Sequence, residues 1–290
     1  MEYILHLAIL IAIYTILAQS LSIVAGYSGQ ISLAHAGFFG IGAYTTALLS
    51  VNYGIPVWVT LPLAMLLSGI IAYIVSKIAV KTVDDYYIII TLGIQVVIFS
   101  IMNNWQEVTR GPLGIPGIPS IKIFGFAFDS KISFFILSAI IASLVWYLIH
   151  NLVSSPFGRV LKALSEDEVF TKSLGKNVYK AKIISFTISG MLASVAGVLY
   201  AHYISYIDPT SFTVDESIFI LSIVIIGGMR NQTKIFLATV FLILLPEILR
   251  FIGMPSNIAA NMRQIIYGIA LVLVVWQYGK KKYKISLKEI

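Results

Sequence analysis

Nine apolar stretches, separated by short polar connections, constrain this chain more than any other feature. They run at about 3–25, 31–51, 57–79, 86–103, 132–150, 182–204, 215–229, 234–252 and 262–278. A bilayer core takes about 20 apolar residues per helix, and lipid forces backbone polar groups to be satisfied within the spanning element. The expected fold class is all-α: a polytopic membrane helix bundle of about nine transmembrane segments, forming one domain over residues 1–290. Only 11% of the residues are charged, against about 25% in soluble domains, so no stretch is polar enough to fold as a separate soluble unit. Met1-Glu2 lacks the basic start of a cleavable signal, and the run to Ala25 reads as the first membrane helix.

One stretch does not fit a simple span. Gly26-Tyr-Ser-Gly-Gln-Ile-Ser-Leu-Ala-His-Ala-Gly-Phe-Phe-Gly-Ile-Gly-Ala-Tyr44 lies between two apolar runs yet holds five glycines and the polar Ser28, Gln30, Ser32 and His35. Lipid does not tolerate polar groups at this density, so they face protein or a water-filled path. Gly26 and Gly29 read as a break between two helices. Gly37, Gly40 and Ala43 fall at helical spacing and would admit a neighbouring backbone. The candidate path residues are Gly26, Ser28, Gly29, Gln30, Ser32, His35 and Gly37. Gln95, mid-way along the fourth run, either bonds a neighbouring helix or lines the path beside His35.

Two connections carry structure of their own. Thr109 to Pro119 holds three prolines and three glycines, which excludes a regular helix and predicts an ordered loop packed on the membrane surface. Phe124 to Phe128 reads as a short extended piece. Asn151 to Lys182 is the longest polar region. Within it Phe157 to Leu174 predicts an amphipathic helix with Phe157, Val160, Leu161, Leu164, Val169 and Leu174 apolar, closed by Gly175. A second helical start at Val178 makes this a hairpin projecting from the membrane, with a stripe that wants a partner.

The net charge of +7 matters through its placement. With the 151–182 region and the lysine-rich tail (Lys280, Lys281, Lys282, Lys284, Lys288) in the cytoplasm, 15 of the 20 Lys and Arg fall inside. The positive-inside rule then puts the carboxyl terminus in the cytoplasm of a multi-pass cell-membrane protein, and the tail beside anionic lipid. The charge needs no nucleic acid to explain it. No phosphate loop, metal-binding histidine pair or cysteine is present, so no catalytic residue, metal site or cofactor is expected. Carboxylates within the runs are scarce, which argues against an ion-driven carrier.

The glycine stretch closely resembles the signature of the branched-chain amino-acid ABC transporter permeases. Gly111-Pro-Leu-Gly-Ile-Pro-Gly-Ile-Pro119 and Gly158-Arg-Val-Leu-Lys-Ala-Leu-Ser-Glu-Asp-Glu168 resemble the M-type permease of that pair, and Ala196 to His202 and Ile226-Gly-Gly228 fit it too. The resemblance implies a permease subunit, not an enzyme. It also implies a second, H-type permease, two cytoplasmic ABC ATPases, and an extracytoplasmic solute-binding protein delivering leucine, isoleucine or valine. Ser165, Glu166, Asp167, Glu168, Leu174 and Gly175 would form the hairpin that docks on the ATPase. Urea and short-chain amide permeases share the signature.

Overall fold

The computed structural model describes residues 2–82, 84–123, 126–251 and 268. Its helices are α1 (Glu2–Ser22), α2 (His35–Tyr53), α3 (Val57–Ala79), α4 (Asp84–Asn104), a single turn α5 (Gln106–Thr109), α6 (Lys131–Ser154), α7 (Pro156–Glu166), α8 (Glu168–Ser173), α9 (Val178–Ile204), α10 (Val214–Ile226) and α11 (Gln232–Phe251). Eight of the nine expected segments are thus helical. The ninth, 262–278, and the lysine-rich tail lie outside the described residues.

Three helices form the centre. α9 runs parallel to α2 and antiparallel to α3, as its contacts order them: Ser189 meets His35 and His202 meets Thr46, while Tyr179 meets Lys77 and Gly190 meets Ser68. α1 packs on α6, α9, α10 and α11. Among the described residues, five helices are long and apolar enough to cross a bilayer: α1 with its extension to Tyr27, α3, α4 from Tyr86, α6 and α9. α2 does not meet that test, because glycine, threonine and serine dilute its apolar content. It is instead shielded by protein, with Ala36, Phe38, Phe39, Ala43 and Ala47 fully buried or nearly so. α3, α4 and α6 turn apolar faces outward, among them Leu66, Ile70 and Ile74; Ile89, Val97 and Ile101; Ile136, Ile140 and Leu144.

The close approach of α2 and α9 rests on two glycines. A Cβ on Gly42 would collide with the Ser194 carbonyl, and one on Gly197 with the Phe39 carbonyl. This corrects the expectation for Gly37 and Gly40, whose missing side chains make room for Gln95, Ile98, Met102 and Phe212 rather than for backbone.

One end of the bundle is closed by short pieces. The Thr109–Pro119 loop is ordered, as expected: a 3-10 turn at Gly111–Leu113 leads into β1 (Ile115–Pro116), which pairs antiparallel with β4 (Tyr206–Ile207). β2 (Lys122–Ile123) and β3 (Phe126–Ala127) form a small hairpin. The start of α1 lies at this end, through Glu2–Lys131 at 3.1 Å and His6–Tyr203 at 2.6 Å. α10 has only 13 residues, about 20 Å of helix, and is preceded by the 3-10 turn Pro209–Phe212.

The amphipathic segment is two helices, not one. Asp167 has extended backbone (φ −151°) and its carboxylate accepts from the Phe170 N–H at 2.8 Å. It therefore ends α7 and caps α8, a competition between side chain and backbone that favours caps over helix interiors. The apolar stripe divides accordingly. Leu161 and Leu164 are buried in the bundle, while Val169, Phe170 and Leu174 are 79%, 60% and 59% exposed. Gly175 closes the segment at φ +73°, as expected of a helix-terminating glycine.

The broken helix and its charged collar

α1 does not stop at Ser22. It widens into a π turn, Ile23–Tyr27, whose bonding is continued by the Ser28 N–H to the Ile23 carbonyl at 3.0 Å. Gly26 lies inside this turn rather than at the break. Its bare Cα face receives the backbone of Met229, where a Cβ would collide with the carbonyl. The break itself begins at Gly29 (φ +72°) and runs as irregular backbone to Ala34. Irregular backbone at membrane depth survives only where protein or water satisfies it, and here the Val24 carbonyl, Ser32 of the break itself and Thr91 of α4 accept its N–H groups.

The first N–H groups of α2 have no partner within the helix. The Ala36 N–H bonds Ser217 Oγ of α10 at 3.0 Å, and the Gly37 N–H bonds Gln95 Oε1 of α4 at 2.5 Å. Gln95 Nε2 donates to the Phe212 carbonyl at 2.8 Å. Of the two roles open to Gln95, the structure gives it the interhelical bond. The Leu33 N–H reaches Thr91 Oγ1, and the Ala34 N–H reaches Ser32 Oγ. His35 Nε2 meets Ser189 Oγ at 2.7 Å, and that hydroxyl donates to the Ser20 carbonyl. Ser28 donates to Gln30 Oε1. Ser28, Gln30, Ser32, His35 and Gln95 are all buried. His35 Nδ1 and both amide atoms of Gln19 are buried without a hydrogen-bond partner.

Beyond the break lies a polar cavity of about 420 Å³. Ser28, Gly29, Gln30 and Tyr87 line one side; Leu164, Ser165, Glu166, Glu168 and Lys182 line the other. The glycine stretch and the hairpin, more than 110 residues apart in sequence, thus share one chamber. Gly29 packs directly over Ser165. Asp167, Leu174 and Gly175 do not line it.

Charged side chains form a collar around this chamber. Lys182 Nζ pairs with Glu168 at 2.6 Å, with the lysine mostly buried. Arg230 donates to the Gly26 carbonyl (3.0 Å), to Glu166 Oε1 (3.0 Å) and to Ser165 Oγ (2.6 Å). Lys162 lies over the Tyr27 ring, 5.9 Å from its centre. Sequence reasoning used Arg230 and Lys182 only to orient the chain. Their one local signal is position: Arg230 directly follows the Gly227-Gly228-Met229 turn, and Lys182 lies one turn into a membrane helix. Gln19, Ser189 and Ser217 carried no signal beyond being polar within apolar runs.

Residues 3–275 match the family described as branched-chain amino acid transport system / permease component. The chain is 33% identical to the high-affinity branched-chain amino acid transport system permease protein LivM of Salmonella typhimurium, with 93% of this chain and 68% of the relative aligned. Its identity to the Escherichia coli protein of the same name is 32% over the same shares. It is also similar to the guanosine ABC transporter permease protein NupQ of Bacillus subtilis, at 26% identity over 69% of this chain and 67% of the relative. No solved structure matches it.

Proposed function

The chain belongs to the branched-chain amino acid transport system permease family and is a multi-pass membrane protein, and from that premise we propose that it forms part of the route by which an ATP-driven importer carries leucine, isoleucine and valine. In this reading a second permease of the same family completes the route. Two cytoplasmic ATPases bind beneath, and a solute-binding protein loads the opposite side. The whole chain, 1–290, acts as one transmembrane domain. The chamber end faces the cytoplasm, as does the carboxyl terminus.

The single observation that carries this reading is the meeting of the α7–α8 hairpin with the α1–α2 break in one polar chamber. The hairpin offers an exposed apolar edge of Val169, Phe170 and Leu174 to a partner, while its inner face reaches the discontinuous helix. ATP binding and hydrolysis move the hairpin, and the energy enters as a difference in partner affinity between two conformations. Gly26, Ser28, Gly29, Gln30, Ser32, His35, Gly37 and Gln95 form the gate region. Ser165, Glu166, Asp167, Glu168, Leu174 and Gly175 form the coupling element. Most of the gate side chains are hydrogen-bonded within the chain, so we assign them to shaping the gate more than to binding solute.

The test is ATP hydrolysis by the complex in lipid, with binding protein loaded with leucine or with urea. Stimulation that requires the partners and leucine is the expected result. Stimulation by urea alone would overturn the substrate. Leucine uptake by the chain without ATPases would overturn the importer reading altogether.

A further inference from the structure

We infer that Arg230, in the turn between α10 and α11, is a positioning residue that joins the α7–α8 hairpin to the α1 break, so that displacement of the hairpin is delivered to the gate. The inference rests on the importer reading above and adds to it the residue through which the motion passes.

Among the described residues, Arg230 is the side chain whose hydrogen bonds reach both segments. Nε holds the Gly26 carbonyl in the π turn; the two terminal nitrogens hold Glu166 Oε1 and Ser165 Oγ at the end of α7. The attachment to α1 is doubled, because the Tyr27 hydroxyl donates to the Arg230 carbonyl. It is also keyed by shape, since Gly26 leaves room for the Met229 carbonyl beside it. The turn bearing Arg230 is tied back on itself and onto α10 by backbone hydrogen bonds. Gly228 and Met229 both have positive φ, and the Met229 N–H returns to the Val224 carbonyl at 2.8 Å.

The other charged contact of the hairpin does not do this. Lys182–Glu168 ties α8 to α9, the helix that directly follows it, and faces the break across the chamber rather than bonding it. Lys162 lies over Tyr27 but only at cation–π range. Exposed ion pairs contribute little to stability, and Glu166 and Arg230 are 69% and 39% exposed. What Arg230 contributes is therefore geometry rather than stability. A planar guanidinium presents donors in fixed directions to three acceptors at once, whereas a lysine is a point charge on a flexible stem. Lysine at this position can keep the charge but not the span.

The experiment uses the full complex with its partner permease, ATPases and binding protein in proteoliposomes. The chain has no cysteine, so Thr82→Cys, in the chamber wall but outside the gate residues, places a single reactive thiol there. Two quantities are read on that background: leucine imported per ATP hydrolysed, and the change in thiol labelling between nucleotide-free and ATP-trapped states. Arg230→Gln should lower the import ratio by at least about fivefold, the low end of coupling between sites, and abolish the nucleotide-dependent change in labelling. Arg230→Lys should fall between, and it decides the matter by the same two readings if Arg230→Gln does not assemble. A merely structural arginine would lower assembled complex without changing either ratio. Wild-type ratio and labelling change in both variants would overturn the relay alone. Absence of ATP-driven uptake by the unsubstituted complex would overturn the importer reading and the relay with it.

Discussion

Glycine at 42 and glycine at 93 have the same side chain and opposite consequences. Gly42 faces the Ser194 carbonyl across the α2–α9 crossing, while nothing lies within 4 Å of where a Gly93 side chain would begin. Gly42→Val should force the central helices apart, at the order of 1–3 kcal/mol typical of overpacking, and lower the melting temperature in detergent. Gly93→Ala should leave it unchanged or slightly raised, since alanine is the better helix former. Equal effects would show that the crossing is not packed as described. Gln95 gives a second comparison. Gln95→Leu removes the donor that the buried Phe212 carbonyl has now and leaves the Gly37 N–H only the Ala34 carbonyl at 3.1 Å. An unmade buried hydrogen bond costs about 1–3 kcal/mol, so thermal stability should fall although the new side chain is more apolar. A melting temperature at or above wild type would remove Gln95 from the capping of α2. Sequence alone marked Gly37 and Gly40 for close helix contact because their spacing is helical. Spacing says which residues share a face, but not which neighbour that face meets, and Gly42 was the position facing backbone.

At the scale of elements, the helices were legible because lipid restricts the choices: an apolar run of that length has one way to satisfy its backbone. The hairpin was legible from its polar length and its apolar stripe. Its division at Asp167 was not, because a carboxylate within a helical pattern reads equally as a solvated side chain or as a cap, and only the bond to the Phe170 N–H decides. That division leaves Leu161 and Leu164 inside and Val169, Phe170 and Leu174 outside. The outer three should behave as a docking edge. Replacing all three by serine is expected to abolish co-purification of the ATPases while the permease pair remains intact by size-exclusion chromatography. Retained ATPase binding would move the dock elsewhere. Glu166→Lys sets a like charge against Arg230, 3.0 Å from the present carboxylate, and should remove leucine-stimulated ATP hydrolysis without removing those three apolar contacts.

Across the whole molecule, the two ends of the bundle differ in charge and in architecture. Lys162, Lys182 and Arg230 gather around the chamber, and Tyr179 brings Lys77 to the same end. The opposite end carries the β1–β4 pair, the Glu2–Lys131 pair and the ordered proline–glycine loop. The retention of basic residues on the cytoplasmic side is the ground for the orientation proposed above. Two exposed positions test it: Lys176, beyond Gly175 at the chamber end, and Leu113, 81% exposed in the loop at the other. With no native cysteine to interfere, Leu113→Cys should react with a membrane-impermeant thiol reagent in intact cells. Lys176→Cys should react only once the cytoplasmic face is opened. The reverse pattern would do more than invert a diagram. ATP is available in the cytoplasm, so a hairpin on the outer face could not be moved by an ATPase, and the chamber beneath the break would become the side on which solute arrives.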